Sequence, residues 1–106
     1  MQNNIPTKQA LNLITALKKR GIEIKSEYSD GHKHVDLYIP EAKIYIEIDG
    51  LQHYTDPKLF VADLFRDHYS NNDKIFTKHI SNQLIETHLE EIADAIAQIV
   101  KERLIK

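Results

Sequence analysis

Two short segments, 34–39 and 43–49, alternate in character residue by residue and are joined only by Pro40-Glu41-Ala42. In the first, Val35, Leu37 and Ile39 alternate with His34, Asp36 and Tyr38. In the second, Ile44, Ile46 and Ile48 alternate with Tyr45, Glu47 and Asp49. A period of two is the signature of a β-strand, and so short a link permits only an antiparallel hairpin. The two apolar sets must face one core, which puts Asp36, Glu47 and Asp49 together on the opposite face. With Ile39 facing Ile44, the register sets Tyr38 against Tyr45, Leu37 against Ile46, Asp36 against Glu47 and His34 against Asp49.

The remaining elements follow from periodicity and punctuation. Thr7 as N-cap, with Leu11, Ile14 and Leu17 (or Leu13 and Leu17) at helical spacing, predicts a helix over 7–20 that Gly21 ends. Lys18, Lys19 and Arg20 suit the negative end of its dipole. An extended segment over 22–28 leads into the turn Ser29-Asp30-Gly31. Asp56 as N-cap and Pro57 in the first helical position predict a second helix, with Phe60 (or Val61), Leu64 and Phe65 on its apolar side and Asn71-Asn72-Asp73 closing it. A strand over 74–80 follows. A long last helix, capped by Ser81 or Asn82, carries the stripe Ile85, Leu89, Ile92, Ile96 and Ile99. The expected fold is α/β (α+β): one mixed sheet of about four strands flanked by helices, in the order α-β-β-β-α-β-α.

At 106 residues the chain has room for one core, so 1–106 is expected to be a single domain. The hydrophobic fraction of 42% and charged fraction of 28% are those of a globular protein and argue against disorder. The absence of cysteine excludes disulfides and thiolate zinc sites. No apolar run approaches the roughly 20 residues that span a bilayer, and the N-terminus lacks the apolar region of a signal peptide. The expectation is a soluble cytoplasmic domain with no membrane partner. The formal net charge of −2 counts against autonomous high-affinity binding to nucleic acid, which goes with a basic surplus or stripe. A cation held by an acidic site would offset part of that charge.

The acidic face carries the chemistry. Directly opposed strand residues have Cβ atoms about 4.5–5.5 Å apart, where like charges destabilise the pair. Asp36 against Glu47, with Asp49 two residues along, is therefore a costly arrangement unless a cation sits among them. Any one of these acids alone fits a solvated sheet surface. Asp is depleted in strand centres, however, and solubility alone does not explain the set. Oxygen donors on a rigid sheet suit a hard ion such as Mg²⁺ (or Mn²⁺), which lowers the pKa of a bound water and stabilises charge on a phosphoryl oxygen. Gly50 lets the chain leave the sheet sharply, and His53, close behind, is a candidate proton carrier.

The run Val35-Asp36-Leu37-Tyr38-Ile39-Pro40, followed by Ile44-Tyr45-Ile46-Glu47-Ile48-Asp49-Gly50-Leu51-Gln52-His53, resembles the PD-(D/E)XK nuclease superfamily. The similarity is to its branch of very-short-patch-repair (Vsr-like) endonucleases and related homing endonuclease domains. It extends to Asp63 and Arg66, which match a "DxxR" on the following helix, and covers roughly 11–99. The resemblance implies a Mg²⁺-dependent endonuclease acting on DNA, with Asp36, Glu47 and Asp49 as metal-binding acids. It implies His53 as general acid or base, and Arg66 as a phosphate-positioning or bracing residue paired with Asp63. Asp49 stands where the wider superfamily has lysine. The Glu that relatives carry on the first helix is replaced here by Gln9 or Ala10, and Glu27 on the first strand is the candidate substitute. That departure, with the near-neutral charge, supports a competing expectation of a catalytically silent nucleic-acid-binding or regulatory module on the same fold.

Lys74 and Lys78 on the last strand are candidate phosphate contacts. Tyr38, Tyr45 and Tyr54 flank the acids and are candidates for stacking bases or for simple pairing across strands. His32 and His34 follow a turn and read as solvated; His68, His79 and His88 have no partner visible in the sequence. Small size and weak basicity point to a homodimer or a partner DNA-binding domain.

Overall fold

The structure is a computed structural model, described for residues 7–49, 56–71 and 74–104. Its elements are α1 (Lys8–Lys18), β1 (Lys25–Ser29), β2 (His34–Ile39), β3 (Ile44–Asp49), α2 (Pro57–Asn71), β4 (Phe76–Ser81) and α3 (Asn82–Leu104), the expected order. The helix ends follow from their caps. Thr7 Oγ1 accepts the Ala10 N–H, and the Asp56 carboxylate accepts the Lys58 N–H ahead of α2. Gly21, at φ 79°, turns the chain out of α1, and Ile22 N–H then reaches back to Leu17 O. Of the two spacings open in the sequence, the buried face of α1 uses Leu13, Ile14 and Leu17, leaving Leu11 exposed.

Strands β1, β2 and β3 run antiparallel, and β4 lies parallel to β3 at the sheet edge, in the order β1-β2-β3-β4. A parallel neighbour needs a crossover, and α2 supplies it. Leu37, Ile39, Ile44 and Ile46 join Phe76 and Ile80 in one core with Leu13 and Leu17 of α1, Phe60 and Leu64 of α2, and Leu84, Ile85, Ile92, Ile96 and Ile99 of α3. The helices thus gather on the isoleucine face. The other face carries Asp36, Tyr38, Tyr45, Glu47, Thr77 and His79, all partly or well exposed. No helix among the described residues is long and apolar enough to cross a membrane.

Three differences from expectation have local causes. Strand β1 begins at Lys25 rather than Ile22, because Ile22 is drawn into the core behind α1. Strand β4 begins at Phe76 rather than Lys74, because the Lys74 N–H closes a turn onto Asn71 O. In α3 the backbone leaves helical geometry at His88 (φ −139°, ψ 41°), so two helical pieces share one buried stripe. Ser81, the last residue of β4, caps the first piece by accepting the Leu84 N–H on its hydroxyl.

The structure corrects the expectation for Lys78. In the parallel ladder it stands beside Ile46, on the core face, and is 7% exposed. Its ammonium lies over the Phe60 ring and reaches Asp67 at 2.9 Å and Asp63 at 3.6 Å, so it is a strut between β4 and α2 and not a phosphate contact. Lys78→Met keeps most of the stem but takes the ammonium from Asp67, while Asp63 keeps Arg66. It is expected to lower stability by about 1–2 kcal/mol in denaturant unfolding, while leaving the salt dependence of any nucleic-acid binding unchanged.

Candidate active site

The β2–β3 ladder has the expected register: Ile39 against Ile44, Tyr38 against Tyr45, Leu37 against Ile46. Continuing it places Asp36 beside Glu47. Backbone pairing stops at that step, and the Asp36 carboxylate accepts the Ile48 N–H at 2.6 Å in its place. The side chain thereby satisfies an amide that the separating strands leave without a carbonyl. The same separation overturns the expected pairing of His34 with Asp49. His34 instead pairs across β1 with Ser29, and its Nε2 lies 2.9 Å from Glu27 Oε1.

Glu27 adopts φ 48°, an uncommon left-handed conformation for a residue with a side chain, and interrupts the alternation of β1. The regular register on either side of it sets Glu27 across from Asp36. Glu27, Asp36 and Glu47 therefore form a row over three adjacent strands, with Asp49 one step further along β3.

Each acid of that row has its own partner. Glu27 has His34, and Asp36 has the Ile48 amide. Glu47 Oε2 lies 3.6 Å from Lys33 Nζ and 3.7 Å from His79 Nε2. These groups relieve the like-charge repulsion that the sequence implied. Among the described residues, no three Asp, Glu or His side chains converge closely enough to hold an ion between them. His53 and Tyr54 lie outside the described residues, as does Gly50. The donor set at Asp36 and Glu47 is all oxygen and suits Mg²⁺ or Mn²⁺ in kind.

Lys33, Thr77 and His79 had no role in the sequence reading. His79 reaches Glu47 because β4 pairs in parallel with β3, which sets Glu47 against His79 and Tyr45 against Thr77. Lys33 arrives through the β1–β2 turn, which folds over the helix-free face. Asp30 Oδ1 accepts the N–H groups of His32 (2.9 Å) and Lys33 (2.8 Å), and its Oδ2 accepts the Tyr45 hydroxyl at 3.0 Å. Lys33 Nζ then donates to Thr77 Oγ1 at 2.6 Å and lies 5.5 Å above the Tyr45 ring. The sequence signal for this was the Asp-Gly turn, whose Asx geometry fixes the amides of His32 and Lys33.

Tyr38 and Tyr45 pack as tilted rings with centroids 4.8 Å apart, and Tyr28 joins them at 4.6 Å from Tyr38. Desolvation of the Tyr45 phenol, reinforced by its hydrogen bond to Asp30, pushes its pKa up to about 12 from 10.0. The N–H groups of His32 and Lys33, followed by the Tyr45 hydroxyl, hold the Asp30 carboxyl below its ordinary value. The Tyr45 contribution is therefore complete below about pH 10 and lost as pH rises toward about 12. That of Asp30 is present above the usual carboxylate range and lost as pH falls through its depressed value. A tyrosine absorbance titration is expected to show one phenol ionising near pH 12 that is missing in Tyr45→Phe.

The other candidates lie apart. Arg66 is exposed on α2 and bound to Asp63 at 2.6 Å, the expected i,i+3 pair. Lys74 precedes Phe76, which pairs with Ile44, so it sits at the opposite end of the strands from Glu47 and Asp49. No family model and no curated protein matches the chain.

Proposed function

We propose that this chain is a divalent-metal-dependent endonuclease that hydrolyses phosphodiester bonds in DNA, a PD-(D/E)XK enzyme of the Vsr-like branch. One observation carries the reading. Asp36 and Glu47 stand on neighbouring strands at the step where the ladder opens, on the face that no described helix covers. Both carboxylates stay partly exposed there, and acids at an opened, accessible ladder are placed for a ligand. The resemblance of 35–53 to the superfamily motif gives the ligand its chemistry and assigns His53 its proton-transfer role.

Asp36 and Glu47, with Asp49 beyond them, are the residues that would hold Mg²⁺ or Mn²⁺. The ion's part is to lower the pKa of a water and to neutralise charge on the phosphoryl group. In the hydrolysis, a water oxygen bonds to phosphorus and one P–O ester bond breaks. The water gives a proton to a neighbouring base, and the leaving oxygen takes one up. His79, 3.7 Å from Glu47, is a second candidate for that base beside His53.

A second reading, a DNA-binding module without cleavage, is favoured by the partners already present on Glu27, Asp36 and Glu47. Supercoiled plasmid incubated with Mg²⁺ or Mn²⁺ separates the two. Nicked or linear product that EDTA suppresses is the expected result. Salt-dependent retention of intact plasmid at every metal concentration would instead establish the silent module.

A further inference from the structure

We propose that Lys33 is the residue that meets the substrate phosphate, an assignment that rests on the endonuclease reading above. A phosphodiester approaching this face meets Glu27, Asp36, Glu47 and Asp49, and a fixed positive group of the protein beside them would share with the metal the charge of the phosphoryl group. Lys78 is buried against α2 and Lys74 lies at the other end of the strands, while His79, 3.7 Å from Glu47, is a candidate base. Lys33 is the lysine that stands on the acids themselves: its ammonium lies 3.6 Å from Glu47, and its side chain is 41% exposed.

The position of Lys33 is built. Tyr45 pins Asp30 to the sheet, Asp30 fixes the Lys33 amide, and Thr77 accepts one ammonium N–H. These partners come from three segments: the β1–β2 turn, β3 and β4. An ammonium has three N–H groups, so one directed at Thr77 leaves others for an incoming oxygen. A charge held in place beforehand needs no reorganisation as negative charge grows on the phosphoryl oxygens, which is where preorganised cations act most strongly. Lysine acts here as a compact point charge and needs no bidentate fork. The pairing with Glu47 keeps the ammonium near that carboxylate until a phosphate arrives.

The test compares the full chain as wild type, Lys33→Met and Lys33→Arg. On supercoiled plasmid with Mn²⁺, Lys33→Met is expected to lower kcat about 100-fold while KM rises less than about tenfold. Lys33→Arg, which restores the charge, is expected to recover at least about a tenth of the wild-type rate. Without metal, at low salt, wild type is expected to bind a labelled DNA duplex about fivefold more tightly than Lys33→Met. Both variants should melt within about 3 °C of wild type, because the side chain is partly exposed. A Lys33→Met kcat within about threefold of wild type, or equal duplex affinity, overturns the Lys33 assignment and leaves the endonuclease reading standing. A wild type that cuts with neither ion overturns the endonuclease reading, and this assignment with it.

Discussion

Asp36→Asn is expected to reduce plasmid cleavage about 1,000-fold or more while the domain stays folded. The two halves of that expectation come from different atoms of one side chain. Asp36 Oδ2 accepts the Ile48 N–H where β2 and β3 separate. An asparagine carbonyl can still accept that hydrogen bond, so the local backbone keeps its partner. The neutral acceptor weakens the bond by about 1 kcal/mol, a small fraction of a domain's stability. The catalytic loss corresponds to about 4 kcal/mol of barrier, because the negative charge that would hold the metal is gone. Asp36→Ala removes both functions, and its stability deficit relative to Asp36→Asn measures the structural one alone. Asp36→Asn cutting at the wild-type rate would sink the assignment of Asp36 to the metal. Equal melting temperatures for Asp36→Asn and Asp36→Ala would show that the Ile48 hydrogen bond contributes little.

The second large effect lies one residue further along and on the other face. Leu37→Ala is expected to cost about 3–4 kcal/mol, from lost transfer energy and from the cavity left in a close-packed site. Leu37 is fully buried in the central strand β2, directly across from Ile46 and in the same core as α1, α2 and α3. Few neighbours can collapse into the gap, since the sheet backbone holds both flanks. For a domain of this size the loss is expected to lower the melting temperature by roughly 12–25 °C. Calorimetry checks it, and a drop under about 5 °C would mean that the core repacks around the alanine. The consequence for function follows from the strand period. Leu37 anchors the register that brings Asp36 beside Glu47, so residual cleavage in Leu37→Ala should fall further than the folded fraction accounts for.

These two expectations show how far the sequence reached. The alternation of Val35, Leu37, Ile39, Ile44 and Ile46 with Asp36, Tyr38, Tyr45 and Glu47 determined which residues share each face, and the short Pro40-Glu41-Ala42 link determined their register. Both are local rules: side chains alternate on a strand, and a slip of one residue would bury the acids and expose the isoleucines. The caps at Thr7 and Asp56 and the turn at Gly21 were legible for the same reason, since each satisfies or redirects backbone within a few residues. The order of elements, and hence the fold class, followed from these.

What the sequence left open depends on strands far apart in the chain. Lys78 and His79 are neighbours in sequence, yet one is an ion-paired strut in the core and the other reaches Glu47 on the open face. Only the parallel pairing of β4 with β3 decides which is which, because strand 74–80 has no clear alternation of its own and its register is fixed by packing against α2. Lys33 belongs to a turn, and no periodicity predicts that the turn folds onto Tyr45 and Thr77. The paired acids are therefore a property of local sequence pattern. The cations beside them are a property of the assembled sheet, because charge balance depends on distances that only tertiary packing sets.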